Sequence, residues 1–318
     1  RAAGIRGRFS DTKLRDTLLM LDPHEAREAR HRQVKAEHRR GSLEPTRLPF
    51  GVVAIDGKTV RHSYDNRLGK NAIHMVNAWA TSSNLALGQI KVDDKSNEIT
   101  AIPKLLELLE LKGCIVTIDA MGCQTKIAEQ IIDQGGDYVL ALKGNQSTLA
   151  EEVEEAFIDA DARDYAGLDT QVIETCERGH GRVETRRYRT LGNLEGVPRS
   201  ALWTGLNMIG MVESQREVDG KLSTEVRFYI GSTGTDAGRF ARAVRTHWGI
   251  ENDLHWSLDV AFREDDSRLR DPQAREFLVT NLRAFLFAEG YDQGYHMGRK
   301  VGWALGSSRR KKADGDSR

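Results

Sequence analysis

Three carboxylates in this chain are placed so that they could meet at one edge of a β-sheet. Asp56 and Asp119 each end a short apolar, β-branched run, which is typical of a buried parallel strand. Glu251 lies on a helix that we predict over residues 236–260. Ligands of open α/β sheets bind at the carboxyl ends of the strands. We therefore expect the three side chains to face one site.

Carboxylate oxygens are hard ligands, and this set predicts a site for Mg²⁺, with Mn²⁺ as a substitute. Asp56, Asp119 and Glu251 would be both the catalytic residues and the metal ligands. Two such ions about 4 Å apart activate a water or hydroxyl group and stabilise the leaving oxygen in phosphoryl transfer. Without a cation, repulsion would force some of the carboxylates to take up protons. The predicted chemistry is cleavage or transfer at a phosphodiester of DNA or RNA.

Other roles for the same residues stay open. Each aspartate could cap the turn or helix that follows it, as Asp often does. His247, Glu251 and His255 are four residues apart and would stack on one face of an α-helix, where they could bind a transition metal. Three ligands spread over two turns would chelate poorly. The histidines are better suited to orienting Glu251 or contacting a phosphate.

The order of the predicted elements indicates an α/β fold. Three strands come first and can form an antiparallel meander, and two further strands follow helices and should be parallel. This is the order of a ribonuclease H-like mixed sheet with flanking helices. An acidic helix over 148–161 then precedes a β-rich insertion, which comes before the last catalytic helix. The strands are predicted at 51–56, 73–81, 85–92, 115–118 and 138–142, and the core helices at 97–111 and 125–134.

We divide the chain into five segments by composition and pattern. They are an N-terminal helical, mildly basic segment at 1–49, the first part of the ribonuclease H-like core at 50–165, the β-rich insertion at 166–234, the last core helices with the third acidic residue at 235–290, and a loosely ordered basic tail at 291–318.

Composition indicates a globular protein: 39% of the 318 residues are hydrophobic and 30% are charged. The 47 basic residues balance the 47 acidic ones, which argues weakly against a nucleic-acid binder. The basic residues are unevenly distributed, however, with dense runs at 27–40 and 309–312. The N-terminus carries no apolar signal core, and the three cysteines lack a metal-ligand spacing. We expect a cytoplasmic, nucleoid-associated protein with reduced thiols and no membrane contact.

Six motifs occur in order along the chain, and together they resemble the H-repeat-associated family of bacterial DDE insertion-sequence transposases. The likeness covers about residues 50–285, and six motifs in register are more specific than any one of them. The motifs are Ala54-Ile55-Asp56-Gly57-Lys58, Val92-Asp93-Asp94-Lys95-Ser96-Asn97-Glu98-Ile99, Thr117-Ile118-Asp119-Ala120-Met121-Gly122-Cys123-Gln124, Ala141-Leu142-Lys143-Gly144-Asn145-Gln146, Gly179-His180-Gly181-Arg182 and His247-Trp248-Gly249-Ile250-Glu251-Asn252.

The resemblance implies a ribonuclease H-like catalytic domain with Asp56, Asp119 and Glu251 as its metal-binding triad. It implies DNA strand cleavage at the ends of an insertion sequence and transfer of the 3′-hydroxyl to target DNA. The implied partners are the element ends and the target DNA, and a homodimer on paired ends is an assembly that the resemblance allows.

Four side chains are secondary candidates for DNA contact: Lys143, Arg182, Arg245 and His247. The turn at 179–182 could hold a phosphate through its backbone amides, although a plain β-turn is the simpler explanation.

The chain also departs from the pattern of related transposases. An arginine common before the third acidic residue is replaced by His247, with Arg245 nearby as a substitute, and a lysine common after it is replaced by Leu258. Two other functions therefore stay open: a metal-dependent nuclease on the same core, and a transposase remnant that binds DNA without catalysis.

Overall fold

The computed structural model describes residues 51–61, 64, 71–81, 85–93, 97–179 and 182–260, together with the isolated positions 25, 29 and 32. Apart from those three positions, the predicted N-terminal segment lies outside the described residues, as do the predicted basic tail and the part of the predicted 235–290 segment that follows residue 260. Among the described residues, no helix combines the length and apolar character needed to cross a membrane.

In the described part of the chain, nine strands form a single mixed sheet in the order β3-β2-β1-β4-β5-β9-β8-β7-β6. The three strands β1, β2 and β3 form the predicted antiparallel meander, and β4 and β5 run parallel to β1. This confirms the predicted ribonuclease H-like mixed sheet. The strands are β1 (Gly51–Val60), β2 (Ile73–Ala80), β3 (Leu85–Lys91), β4 (Cys114–Ile118), β5 (Asp137–Leu142), β6 (Thr170–Gly179), β7 (Arg182–Leu191), β8 (Met208–Val218) and β9 (Lys221–Gly231).

Between residues 97 and 260, five α-helices flank the sheet. They are α1 (Glu98–Glu107), α2 (Thr125–Asp133), α3 (Ser147–Ala162), α4 (Ala237–His247) and α5 (Trp256–Val260). The Asn97 side chain caps α1 by accepting a hydrogen bond from the Thr100 amide. The helix ends four residues earlier than the predicted 97–111, because the amides of Leu108 and Leu109 bond carbonyls three residues back and tighten the final turn.

The β-rich insertion does not form a sheet of its own. Strand β9 pairs antiparallel with β5, and β8, β7 and β6 continue the core sheet from there. The turn between β8 and β9 has positive φ at both Asp219 and Gly220, as the tight Asp-Gly hairpin turn requires. The insertion is thereby joined through β9 to β5, the last strand of the first part of the core.

Apolar side chains cover both faces of the central strands. The larger core lies between the sheet and α1, α2 and α3 and includes Ile102, Leu105 and Phe157. The smaller core lies under α4, where the Phe240 ring packs edge-on against Tyr229 with ring centroids 5.4 Å apart. Gly210 makes this possible, because a Cβ there would lie 2.5 Å from the Phe240 ring. Helix α4 is therefore held close against the sheet that carries the aspartates.

The predicted continuous helix over 236–260 is wrong in its middle. Helix α4 ends at His247, a π-helical turn covers Ile250–His255, and α5 begins at Trp256. A π-helical turn adds residues per turn, and such turns are frequent at functional sites. His247, Glu251 and His255 therefore do not stack on one face of a regular α-helix, as their spacing had predicted.

Candidate active site

Asp56 lies within β1 and not at its end. The strand was expected to stop at Asp56, but Gly57 and Lys58 pair with Val76 and Met75 of β2 and extend it to Val60. The Asp56 side chain is 18% exposed. Its pKa is raised to about 7, mainly by burial and in part by the nearby negative charges of Asp119, Glu251 and Glu98, while one backbone hydrogen bond acts in the opposite direction.

Asp119 follows β4 directly and lies beside Asp56 in the parallel register, in which Ile55 pairs with Ile118. Its Oδ1 accepts hydrogen bonds from the amides of Met121 and Gly122, at 3.1 and 3.4 Å. Burial raises the pKa of Asp119, and the charge of Glu98 contributes to the increase. Asp119 thus caps the short 3₁₀ turn after β4 and also belongs to the acidic site, so the two interpretations of this residue are compatible.

Glu251 lies on the π-helical turn and is exposed. Although the residue is exposed, partial burial of its carboxyl group raises the pKa of Glu251; the charge of Arg227 lowers this pKa, and the charge of Asp119 raises it. The structure therefore brings Asp56, Asp119 and Glu251 into one electrostatic neighbourhood. Within the described part of the chain, however, no group of three or more His, Cys, Asp or Glu side chains is drawn together closely enough to hold a metal ion. This includes the transition-metal alternative of His247, Glu251 and His255.

His255 packs between Asp56 and the second strand. Gln89 Nε2 donates to Asn77 Oδ1 at 2.7 Å, which turns the Asn77 amide nitrogen toward His255 Nε2 at 3.3 Å. Since that nitrogen can only donate, the imidazole proton lies on Nδ1, which is 3.7 Å from Asp56 Oδ2. Burial lowers the pKa of His255 to about 4, so the ring is neutral near pH 7. The arrangement holds a neutral donor toward Asp56.

Lys58 anchors the last helix to the strand that carries Asp56. Its side chain is 8% exposed, and Nζ donates to Asp259 Oδ1 at 2.6 Å. This contact spans 201 positions in the sequence and joins β1 to α5. It fixes the segment that follows Glu251 against the first core strand.

A fourth carboxylate, Glu98, stands beside the two aspartates and was missed from the sequence. Its Oε1 accepts from His74 Nε2 at 2.5 Å, and His74 Nδ1 lies 2.8 Å from Thr59 Oγ1. A Cβ on Gly57 would overlap the Glu98 carboxylate, so the glycine after Asp56 makes room for it. The sequence did contain a signal for Glu98, because this residue belongs to the motif over 92–99 that resembles the H-repeat-associated family. No role was predicted for it.

Comparison with known proteins decides the family. The family model for the transposase DDE domain matches residues 48–286. The chain belongs to the DDE transposase family. Two relatives from Escherichia coli (strain K12), "Putative protein YbfL" and "H repeat-associated putative transposase YhhI", are each 44% identical over 241 residues, which is 73% of this chain and 62% of each relative.

A third relative from the same strain, "H repeat-associated putative transposase YbfD", is 53% identical over 137 residues, 43% of this chain and 53% of the relative. These matches confirm the resemblance to the H-repeat-associated transposases. The chain spans about 62% of the length of the first two relatives.

The four predicted DNA contacts of this chain lie in different surroundings. Lys143 is exposed, and its charge lowers the pKa of Asp119. Arg245 Nε and Nη2 donate to the Glu177 carboxylate at 3.1 and 2.8 Å, and Arg182 Nε lies 4.0 Å from Glu184.

The fourth, His247, lies 2.9 Å from Thr117 through Nδ1, and burial lowers its pKa to about 4. At neutral pH any contact of His247 with a phosphate would therefore be made by an uncharged ring. The middle of the turn over 179–182 falls outside the described residues.

A second residue missed from the sequence, Arg227 of β9, lies beside Glu251. Its guanidinium carbon is 4.9 Å from the ring centroid of Trp248, three residues before Glu251. The Glu225 carboxylate accepts from Arg227 Nε and Nη2 at 2.8 and 3.1 Å. No local sequence pattern marks Arg227, because its position depends on the pairing of β9 with β5.

Proposed function

We propose that this DDE transposase cuts DNA at the ends of an insertion sequence and transfers the freed 3′-hydroxyl to target DNA, with Asp56, Asp119 and Glu251 as catalytic residues. The observation that carries the proposal is the pKa of Asp56, raised to about 7 by burial among other carboxylates that include Asp119 and Glu251. Strongly perturbed carboxyl groups brought together by strand register and a helical turn mark functional sites more often than structural ones.

The donor set fits a divalent cation, and we propose Mg²⁺, with Mn²⁺ as a substitute, held by Asp56, Asp119 and Glu251. Carboxylate oxygens suit these hard ions. The three side chains would have to turn toward one another to share an ion, since they do not lie close enough together to hold one. When bound, the metal activates the attacking oxygen and stabilises the leaving oxygen of a phosphodiester.

The protein's own groups prepare the carboxylates for that role. The amides of Met121 and Gly122 fix one oxygen of Asp119, which leaves the other to face the site. The neutral imidazole of His255 offers its Nδ1 proton toward Asp56 without adding a positive charge that would compete with a cation. Lys58 and Asp259 hold the helical segment that carries Glu251 close to β1.

DNA is the proposed partner, with Lys143, Arg182, Arg245 and His247 as its contacts. The charges of Arg182 and Arg245 lie beside glutamates, and a phosphate would have to compete with these ion pairs. A homodimer on paired DNA ends remains part of the proposal. The relatives named as transposases support the DNA substrate.

The test is cleavage and joining of a labelled duplex that carries the inverted repeats flanking the gene. Parent protein should cut it with Mg²⁺ and not with EDTA, and Asp119→Asn should reduce cutting by at least about 100-fold. Asp133→Asn, the same change at an exposed helix end, is the matched control and should leave cutting intact. Metal-dependent cutting that survives Asp119→Asn would refute the site.

Adding unlabelled target DNA separates the remaining functions. Joined product indicates a transposase, whereas cut but never joined ends indicate a nuclease. Binding of the duplex without any cutting, under all metal conditions, indicates a remnant that has lost catalysis.

A further inference from the structure

Two positive side chains meet at the edge of the acidic site, on neighbouring strands. Strands β5 and β9 are antiparallel, and their register ends with Leu142 opposite Phe228. Continuing this register by one position brings Lys143 opposite Arg227. The backbone of Lys143 is extended, with φ −148° and ψ −169°, so it prolongs the line of β5. Directly opposed residues project from the same face of a sheet, so this continued register would make the two cations neighbours.

Both cations act on the carboxylates of the site. The charge of Lys143 counteracts the raised pKa of Asp119, and the charge of Arg227 does the same for Glu251. These effects mean that Lys143 lies near Asp119 and that Arg227 lies near Glu251. The pair thus lies on the side of the site formed by β5 and β9, across from the β1 side, where Asp56 and Lys58 lie.

Arg227 is held in a defined orientation. The Trp248 ring supports one face of its guanidinium at 4.9 Å, and Glu225 occupies two of its donors. The side chain is nevertheless 35% exposed, and that of Glu225 is 60% exposed. A stacked guanidinium loses little further freedom when it binds an anion, and its planar fork matches two oxygens of a phosphate.

We propose that Arg227 and Lys143 together bind a backbone phosphate of the DNA beside the Asp119 and Glu251 carboxylates. This inference rests on the proposed function, because it takes DNA as the ligand. Arg227 supplies the oriented fork and Lys143 a flexible point charge. Glu225 occupies the fork when DNA is absent, and the phosphate displaces it. The two cations would hold the DNA strand beside the acidic side chains of the site, which would otherwise repel its phosphates.

Glu225 separates this role from a purely structural one. If Arg227 only braced Trp248 and the turn that carries Glu251, its partner Glu225 would help, and Glu225→Gln would weaken the site in the same direction as Arg227→Gln. If Arg227 binds phosphate, Glu225 competes with DNA, and Glu225→Gln should bind DNA as tightly as the parent or more tightly. The two accounts therefore predict opposite signs for one substitution.

The experiment is fluorescence anisotropy of a labelled duplex, in EDTA so that nothing is cut, over a series of salt concentrations. Arg227→Gln should weaken binding about tenfold and reduce the slope of log K against log salt by about 1, the amount expected for one lost phosphate contact. Arg227→Lys should keep the slope, because it keeps the charge. Arg216→Gln is the matched control: Arg216 is an exposed arginine four positions along β8 from Val212, the partner of Arg227, and its loss should change neither quantity.

The inference is overturned if Arg227→Gln binds like the parent, if Arg216→Gln loses as much affinity, or if Glu225→Gln weakens binding. A melting temperature for each variant identifies any that fails to fold, and Glu225→Gln, for which the two accounts predict opposite signs, then carries the test. Parent protein that binds the duplex but does not cut it with Mg²⁺ would count against the proposed function alone. Parent protein that binds no DNA at low salt would overturn both.

Discussion

The Asp56 carboxyl has an ordinary pKa of 3.8, and burial beside other carboxylates raises it to about 7 in the folded protein. Between these pH values the folded state holds a proton that the unfolded state lacks. Stability contributed by Asp56 is therefore present at low pH and is lost as the pH rises through about 7. Asp56→Asn should consequently be more stable than the parent by a few kcal/mol at about pH 8, with the difference vanishing toward pH 4.

Urea unfolding in EDTA at several pH values measures this difference. Asp133→Asn should show no such pH-dependent gain, because Asp133 is exposed. Adding Mn²⁺ at about pH 8 should narrow the gap between parent and Asp56→Asn, since only the parent keeps the full carboxylate set. If the difference in stability between the parent and Asp56→Asn did not depend on pH, ionisation of Asp56 would not destabilise the folded protein.

Position 57 requires a glycine, because Glu98 and His74 occupy the space that a side chain would need. A Cβ on Gly57 would overlap the Glu98 carboxylate and lie 2.7 Å from His74 Nε2. Gly57→Ala should lower the free energy of unfolding by about 1–2 kcal/mol, because the hydrogen-bonded pair must move. Gly144→Ala, where nothing lies within 4 Å of the added Cβ, should be close to neutral. Denaturant titration of both variants gives the comparison, and equal effects would contradict the assigned reason.

At the scale of elements, the ion pair between the buried Lys58 and the partly exposed Asp259 fixes α5 and the π-helical turn before it. Lys58→Met removes the cation and leaves Asp259 without it, which should cost about 2 kcal/mol. Amides over Ile250–His255 should then exchange hydrogen faster than in the parent. Lys104→Met is the control, because the Lys104–Asp93 pair is 3.5 Å long and its side chains are 60% and 73% exposed. Unchanged exchange in Lys58→Met would show that other contacts hold the segment.

The elements differ in how well the sequence predicts them. Strands β4 and β5 and helix α2 follow from local apolar runs and turn residues, so their positions were predicted to within one or two residues. The π-helical turn was not predicted; His247 before it and His255 at its end contact strands far away in the chain, which local patterns do not reveal. The strand β1 was predicted too short for the same reason, since its last residues are paired with β2.

For the whole molecule, sequence reasoning predicted the ribonuclease H-like sheet and grouped Asp56, Asp119 and Glu251. This grouping could be predicted because parallel strands bring their carboxyl ends to the same edge of a sheet. It missed Glu98 and Arg227, whose relation to the site depends on long-range packing, and it did not predict that the insertion continues the core sheet. The predicted segment boundaries and DNA contacts stay predictions.

The central claim, that Asp56, Asp119 and Glu251 form one metal site, is tested most directly by titrating the protein with Mn²⁺ and following the free ion by electron paramagnetic resonance. Parent and Asp133→Asn should bind Mn²⁺ alike, and Asp56→Asn, Asp119→Asn and Glu251→Gln should each weaken binding by at least about tenfold. Parent-like Mn²⁺ binding in all three of these variants would contradict the claim.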